Sequence, residues 1–304
     1  MSFCSKVKRQ IVLDAPTNGC CMRAQTYGLL LFSHMLTRKK WSYKTEASVT
    51  AHLMAELIAA CCGVYVDISE STSHDGTKKI YSVSIPTAAQ RETVLSSFNM
   101  NEDSMESIDA GIIESDCCRE AFIKGAFLAC GSMTDPDKGF HLEFSSLSKE
   151  LCSELCALLN ELGLKCNMSE RKRSCCAYIK DGESIEAILA LLGAGDAYCE
   201  VVELRLYKKA VNDTNRVYNC DNANIEKTLN AAHKQAEIIK RIIDKKGIEA
   251  IPEELRGIAL LRLEHSELTL RDLGALMNPP LSRSGVNHRM QRLLELDNEP
   301  KTGD

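Results

Sequence analysis

CCMRAQTYGLLLFSHM, beginning at Cys20, and CCREAFIKGAFLACGSM, beginning at Cys117, share one frame. Both fit C-C-x-x-A-x-x-x-G and place Gly28 opposite Gly125, an offset of 97. The next helical pattern repeats at nearly the same distance. HLMAELIA from His52 matches ELCSELCA from Glu150, pairing Leu53, Glu56 and Leu57 with Leu151, Glu154 and Leu155 at an offset of 98. Two separate elements repeated at one spacing indicate a duplicated unit.

The pieces between them complete an αββαββ-type unit. TEASV (45–49) is a short strand candidate, and VTAHLMAELIAACCG has helical spacing that ends on Gly63. VYVDIS (64–69) and KKIYSVSIP (78–86) are β-rich runs around a His74-Asp75-Gly76 turn, the pattern of a hairpin. In the second copy FHLEFSSL (140–147) is a strand. SKELCSELCALLNELG is a helix that Ser148 can cap and Gly163 can end. LKCNMSERKRSCCAYIKD (164–181) reads as a second hairpin with a basic tip, Arg171-Lys172-Arg173, and ESIEAILALLG (183–193) as a closing helix.

Past residue 210 the pattern becomes wholly helical. From Asn222 to Lys246, Ile225, Leu229, Ala232, Ala236, Ile239 and Ile243 alternate spacings of four and three, and Lys245, Lys246 and Gly247 form a C-terminal stop. PEELRGIALLRLEH follows, with Pro252 at a first helical position and two glutamates in the first turn. Thr269 and Asp272 make a capping pair for a helix carrying Leu270, Leu273 and Met277 on one face. Asn278-Pro279-Pro280 must end it, because proline lacks the amide donor and disfavours the helical conformation before it.

The last helix is expected to start near Ser284. Val286, Met290, Leu293 and Leu294 form its core stripe. Its other face carries Ser284, Asn287, His288, Arg289, Gln291 and Arg292. Between Arg271 and Arg292 stand four arginines and one acid, Asp272, a local charge of +3 in a chain whose net charge is −5. Arginine and asparagine suit the edges of guanine and adenine, and serine and arginine near a helix start suit phosphates. The expected DNA-contact residues are Ser282, Arg283, Ser284, Asn287, His288, Arg289 and Arg292. A plain bundle with a solvated basic face is the competing reading.

The chain has 304 residues, 44% of them apolar and 26% charged, enough for two or three domains with real cores. No run approaches the roughly 18 apolar residues of a membrane span. MSFCSKVKRQIVLD has no apolar stretch behind its basic residues, so a secretory signal is not expected. A cytosolic location is expected. Fifteen cysteines include four doublets, Cys20-Cys21, Cys61-Cys62, Cys117-Cys118 and Cys175-Cys176, none of them in a Cys-x-x-Cys pair. Reduced thiols acting as small buried hydrophobes are the leading expectation. Neighbouring cysteines are expected to point apart and to need a third partner before they hold a metal. No metal and no cofactor is assigned, and a thiol-based sensor is kept as an alternative.

The helices opening each repeat resemble those of the LAGLIDADG homing-endonuclease fold. The motif aligns with TYGLLLFSH (26–34) and IKGAFLACG (123–131). Gly28 and Gly125 would let the two helices pack closely. In active members, an acid at the eighth motif position of each helix holds a divalent metal. Here those positions are Ser33 and Cys130, a neutral hydroxyl and a soft thiol, neither suited to magnesium. Asp135 and Asp137 are read as turn residues rather than substitutes. The expectation is a nuclease fold without the nuclease chemistry. A metal-dependent endonuclease remains the alternative, and protein docking is a further role for the duplicated domain.

Together with GAFLACGSM, FHLEFSS, YNCDNANIEKTLNAA and PPLSRSGVNHRM in that order, the chain resembles the WhiA family over nearly its whole length. The resemblance implies an α+β fold, a duplicated LAGLIDADG-like αββαββα domain followed by an all-α helix-turn-helix domain. The boundaries expected are 1–112, 113–208 and 209–304. It also implies sequence-specific binding of double-stranded DNA at the nucleoid. The expected roles are transcriptional control of cell division and chromosome segregation, and sporulation in sporulating hosts. A protein partner on the LAGLIDADG-like domain is implied, a WhiB-type iron–sulfur protein where the host is an actinobacterium.

Overall fold

Both repeat-opening segments carry apolar residues around most of the helix axis, with Asp116, Cys117 and Glu120 exposed near the start of the second. In the computed structural model, which describes residues 2–33, 41–73, 76–100 and 106–297, these are α2 (Gly19–Phe32) and α5 (Asp116–Cys130). Every residue of α2 from Ala24 to Phe32 is buried. The two helices run side by side in the same direction. A methyl group built on Gly28 would collide with the carbonyl oxygen of Phe122 and lie 3.1 Å from the Ala126 nitrogen. One on Gly125 would collide with the carbonyl of Gln25 and lie 2.9 Å from the Leu29 nitrogen. Only hydrogen fits at either position.

The first copy continues as β1 (Ser42–Thr45), α3 (Ser48–Cys62), β2 (Asp67–Thr72), β3 (Lys79–Ser84) and α4 (Ala88–Ser97), preceded by α1 (Phe3–Leu13). The second continues as β4 (Gly131–Met133), β5 (Leu142–Ser146), α6 (Lys149–Glu161), β6 (Cys166–Arg171), β7 (Ser174–Ile179) and α7 (Gly182–Leu191). Both sheets are antiparallel, ordered β1-β3-β2 and β4-β5-β7-β6, so β5-β7-β6 repeats β1-β3-β2. The registers correspond as well. Tyr43 faces Val83 in one sheet, and Phe144 faces Ala177 in the other, all four side chains buried. The fold is α+β, a duplicated LAGLIDADG-like domain followed by a helical domain.

One local expectation shifts. TEASV is not a strand, since β1 ends at Thr45 and Ser48 already begins α3. Thr50, Ala51, Leu53, Met54, Leu57 and Ile58 are buried at helical spacing, and that packing outweighs the β preference of Val49 and Thr50. Gly63 ends the helix at φ 65°, as its position suggests. Of the proposed hairpin turn, His74 and Asp75 lie outside the described residues.

The long helix α8 spans Gly195–Lys246 and starts well before Asn222. No proline or glycine stands between Asp196 and Lys246 to stop it, and Ala197 and Val201 are buried in the first core. The contact pattern divides the chain into two compact units, Met1–Lys208 and Lys209–Asp304, with the division falling inside α8. Of the expected α8 stripe, Ala232 and Ile239 are buried, joined by Ile242, whereas Ile225 is exposed.

Candidate nucleic-acid interface

In the second unit, α9 (Glu253–Glu264), α10 (Leu270–Ala275) and α11 (Arg283–Glu295) enclose one small core with the end of α8. Leu255, Ile258, Leu273, Val286, Met290 and Leu293 are its centre. Pro252 occupies the cap of α9 with extended backbone, one position before the helix proper. Thr269 caps α10 by accepting from the Asp272 amide at 3.2 Å, and its hydroxyl donates to the Asp272 carboxylate at 2.7 Å. Asp272 also places negative charge at the positive end of that helix.

The turn from 276 to 282 folds back tightly. The Leu281 amide donates to the Gly274 carbonyl at 2.9 Å. A Cβ on Gly274 would strike the Leu281 carbonyl and approach Val286 Cγ2 to 2.9 Å. Ser282 then caps α11, accepting from the Gly285 amide at 3.2 Å, so the helix begins at Arg283, one residue earlier than the pattern suggests. A capping serine contributes about 1 kcal/mol.

Val286, Met290 and Leu293 turn inward, and Leu294 is half-buried against the same core. Ser282, Arg283, Ser284, Asn287, His288, Gln291 and Arg292 are exposed, while Arg289 is half-buried. Two of these cations have internal partners. Arg292 pairs with the Glu254 carboxylate at 2.8 Å, and Arg289 donates to the Glu254 carbonyl at 3.4 Å. The Arg292 pair is solvent-exposed and worth about 0–1 kcal/mol, so a phosphate or base could displace it. Among the described residues, Arg283, Asn287 and His288 make no ion pair or side-chain hydrogen bond.

A cleft of about 440 Å³ opens beside the starts of these helices, lined in part by Lys227, Thr269, Arg271 and Arg283. Beneath it lies Arg262, almost wholly buried. Its guanidinium donates to the carbonyls of His265 and Leu268 at 3.2 and 2.7 Å, clamping the loop between α9 and α10. Burial depresses its pKa, because removing the cation from water disfavours the charged form. Sequence reasoning missed this residue. Its signal was present, since Leu255, Ile258, Ala259 and Arg262 fall on one helical stripe and arginine is the odd occupant of a core-facing position.

At the other sequence-predicted sites, Ser33 is buried and donates to the Leu30 carbonyl at 2.8 Å. The Cys130 thiol is directed at the Ala126 carbonyl at 3.3 Å, and burial pushes it up to about 12. Neither position offers a carboxylate. Asp135 and Asp137 are exposed in a turn in which the Asp135 carboxylate accepts from the Asp137 amide at 3.1 Å. In the basic hairpin tip Arg171 pairs with Glu143 at 2.8 Å, leaving Lys172 and Arg173 exposed.

The cysteine doublets depart from expectation. Cys175 and Cys176 are buried in β7, but Cys20 and Cys117 are exposed. Nor do neighbours diverge at the helix starts, where the Cys20 and Cys21 sulfurs are 3.9 Å apart. The parallel packing of α2 and α5 brings the two doublets together, with all four sulfurs of Cys20, Cys21, Cys117 and Cys118 within 4.8 Å of one another. No helix among the described residues is long and apolar enough to cross a membrane.

A short capped helix, a tight turn and a second helix with an exposed polar face define a helix-turn-helix domain, here in a chain that also carries a duplicated LAGLIDADG-like domain. Known proteins agree with both halves. The family model of the WhiA LAGLIDADG-like domain matches residues 119–211, and that of the WhiA C-terminal HTH domain matches residues 214–297. A Clostridium botulinum protein named "Probable cell division protein WhiA" is 33% identical over the full length of both chains. One of the same name from Alkaliphilus metalliredigens is 31% identical, covering 96% of each chain. The crystal structure of full-length WhiA from Thermatoga maritima shares the fold over the whole of both chains, with a TM-score of 0.58 at 22% identity. This chain belongs to the WhiA family.

Proposed function

We propose that the chain is a sequence-specific DNA-binding transcriptional regulator that acts in cell division without cutting DNA. The carrying observation is the division of α11 into a buried stripe, Val286, Met290 and Leu293, and an exposed face with Ser282, Arg283, Ser284, Asn287 and His288. Asn287 and His288 are assigned to base edges in the major groove. Ser282, Ser284 and Arg283, with Arg271 and Lys227 across the cleft, are assigned to phosphates. Arg289 and Arg292 reach DNA by releasing Glu254. The shared name of the relatives supports the role in cell division. Chromosome segregation, sporulation in sporulating hosts and association with the nucleoid are the finer parts of the proposal.

Absence of nuclease activity rests on Ser33 and Cys130. Metal-assisted phosphodiester cleavage needs hard oxygen ligands beside the scissile phosphate, and the eighth motif positions supply none. Gly28 and Gly125 keep the helix pair closed, and the LAGLIDADG-like domain is left for docking to DNA or a protein partner. The domain limits proposed are 1–112, 113–208 and 209–304.

Titration of the full-length chain with genome-selected duplexes at fixed salt tests the assignment. Asn287→Ala and Arg289→Ala should each weaken specific binding by about 1–3 kcal/mol and relax base preference at one position. Unchanged affinity and preference in both variants would refute it. Incubation with magnesium or manganese should leave the duplex intact.

A further inference from the structure

We propose that Cys20, Cys21, Cys117 and Cys118 form a structural tetrathiolate zinc site that joins the two repeats at the amino-terminal ends of α2 and α5. The two doublets are 97 residues apart in sequence, yet the Cys21 sulfur lies 3.6 Å from the Cys117 carbonyl, and all four sulfurs fall within 4.8 Å of one another. A zinc ion bound at the usual 2.3 Å by four thiolates holds its sulfurs at tetrahedral edges of about 3.8 Å. The 3.9 Å between Cys20 and Cys21 is close to one such edge. A polynuclear iron–sulfur core, with sulfides between its metals, would need the four cysteine sulfurs spread further apart. The donor set also selects the ion, because four soft sulfurs favour zinc over magnesium or calcium.

The electrostatic setting suits an anionic centre. Binding releases four protons, one from each thiol, and leaves a zinc tetrathiolate of net charge −2. Two parallel helices bring two positive ends together, each carrying roughly half a unit charge. At both ends the capping residue is of the right type, Asn18 and Ser115, yet neither side chain caps its helix. By contrast, serine, aspartate and threonine side chains do cap α6, α7, α10 and α11. Neither helix start is therefore closed by a side-chain cap. The Ser115 hydroxyl lies 3.4 Å from the Cys117 sulfur, within hydrogen-bonding reach. Cys21 and Cys118 are buried whereas Cys20 and Cys117 are exposed, so an ion can enter without the helices parting.

The test uses the full chain, purified under reducing conditions, stripped with a chelator and titrated anaerobically with cobalt(II) as a probe. The expected result is one equivalent bound, with the sulfur-to-cobalt charge-transfer and tetrahedral ligand-field bands of a four-thiolate site, displaced by zinc. Cys20→Ser combined with Cys117→Ser alters only the exposed pair. Circular dichroism should stay that of the parent, while the bands vanish and zinc affinity falls at least about 100-fold. Cys199→Ser with Cys220→Ser, two exposed cysteines on α8, should retain both. A parent protein that gives no tetrahedral cobalt spectrum would overturn the site. So would a Cys20/Cys117 variant that binds as tightly as the parent, acid-labile sulfide in the parent, or disulfides among these four residues in protein from a reducing cytoplasm.

Discussion

The pair α2 and α5, and α10 with the turn that leads into α11, both depend on glycine for backbone-to-backbone contact, yet they leave opposite surfaces. Around Gly28 and Gly125 each helix is covered on nearly all sides, so a ligand can reach the pair only at its ends. The carboxyl-terminal ends hold Ser33 and Cys130, and the amino-terminal ends hold four thiols. Around Gly274 the approach is as close, but only one stripe of α11 is buried and the rest faces solvent. Tight packing in the first pair makes a rigid post. In the second it holds a readable face in place.

Substitutions at the glycines break this comparison most sharply. Gly125→Leu should cost more than about 4 kcal/mol in chemical denaturation, since its side chain must displace the Gln25 carbonyl and both helices with it. A parent-like midpoint would show that the helices are not in contact. Gly274→Ala should cost about 2 kcal/mol in the helix-turn-helix domain and lower DNA affinity as well, because Leu281 and Val286 must move. Thermal melts and binding isotherms read the two effects. Ser282→Ala removes only the cap of α11 and should cost about 1 kcal/mol, with Ser282→Asp recovering the stability but not the affinity for an anionic duplex. The smallest change should be a gain. Gln25 is buried between the helices, and among the described residues its amide has no hydrogen-bond partner. Replacing it with leucine should raise stability by about 0.5–1 kcal/mol.

How far the sequence announces this structure depends on how local the cause is. Caps at Ser148 and Thr269, the stop at Gly63 and the stripe on α11 depend on neighbours a few residues away, and all can be read from the chain. The duplication is legible because two elements repeat at one offset. Helix α1 goes unread although Ser2 caps it and Phe3, Val7 and Ile11 recur at helical spacing. Its Val7 and Ile11 are buried, and Lys8 donates to the Leu128 carbonyl at 3.1 Å, a contact made 120 residues away. Arg262 satisfies two loop carbonyls that periodicity does not reveal. The cysteine quartet was invisible for the same reason. Each doublet taken alone lacks a third ligand, and only the parallel packing of α2 and α5 supplies the other two.

The buried seam has a consequence for the ribosome. Helix α2 is complete at Phe32, but its partner is complete only at Cys130, 98 residues later. At bacterial elongation rates of about 5–20 residues per second, that apolar face waits roughly 5 to 20 seconds for its cover. During that interval the nascent chain is a client for chaperones, and pauses in translation between the two helices should raise the fraction lost to aggregation.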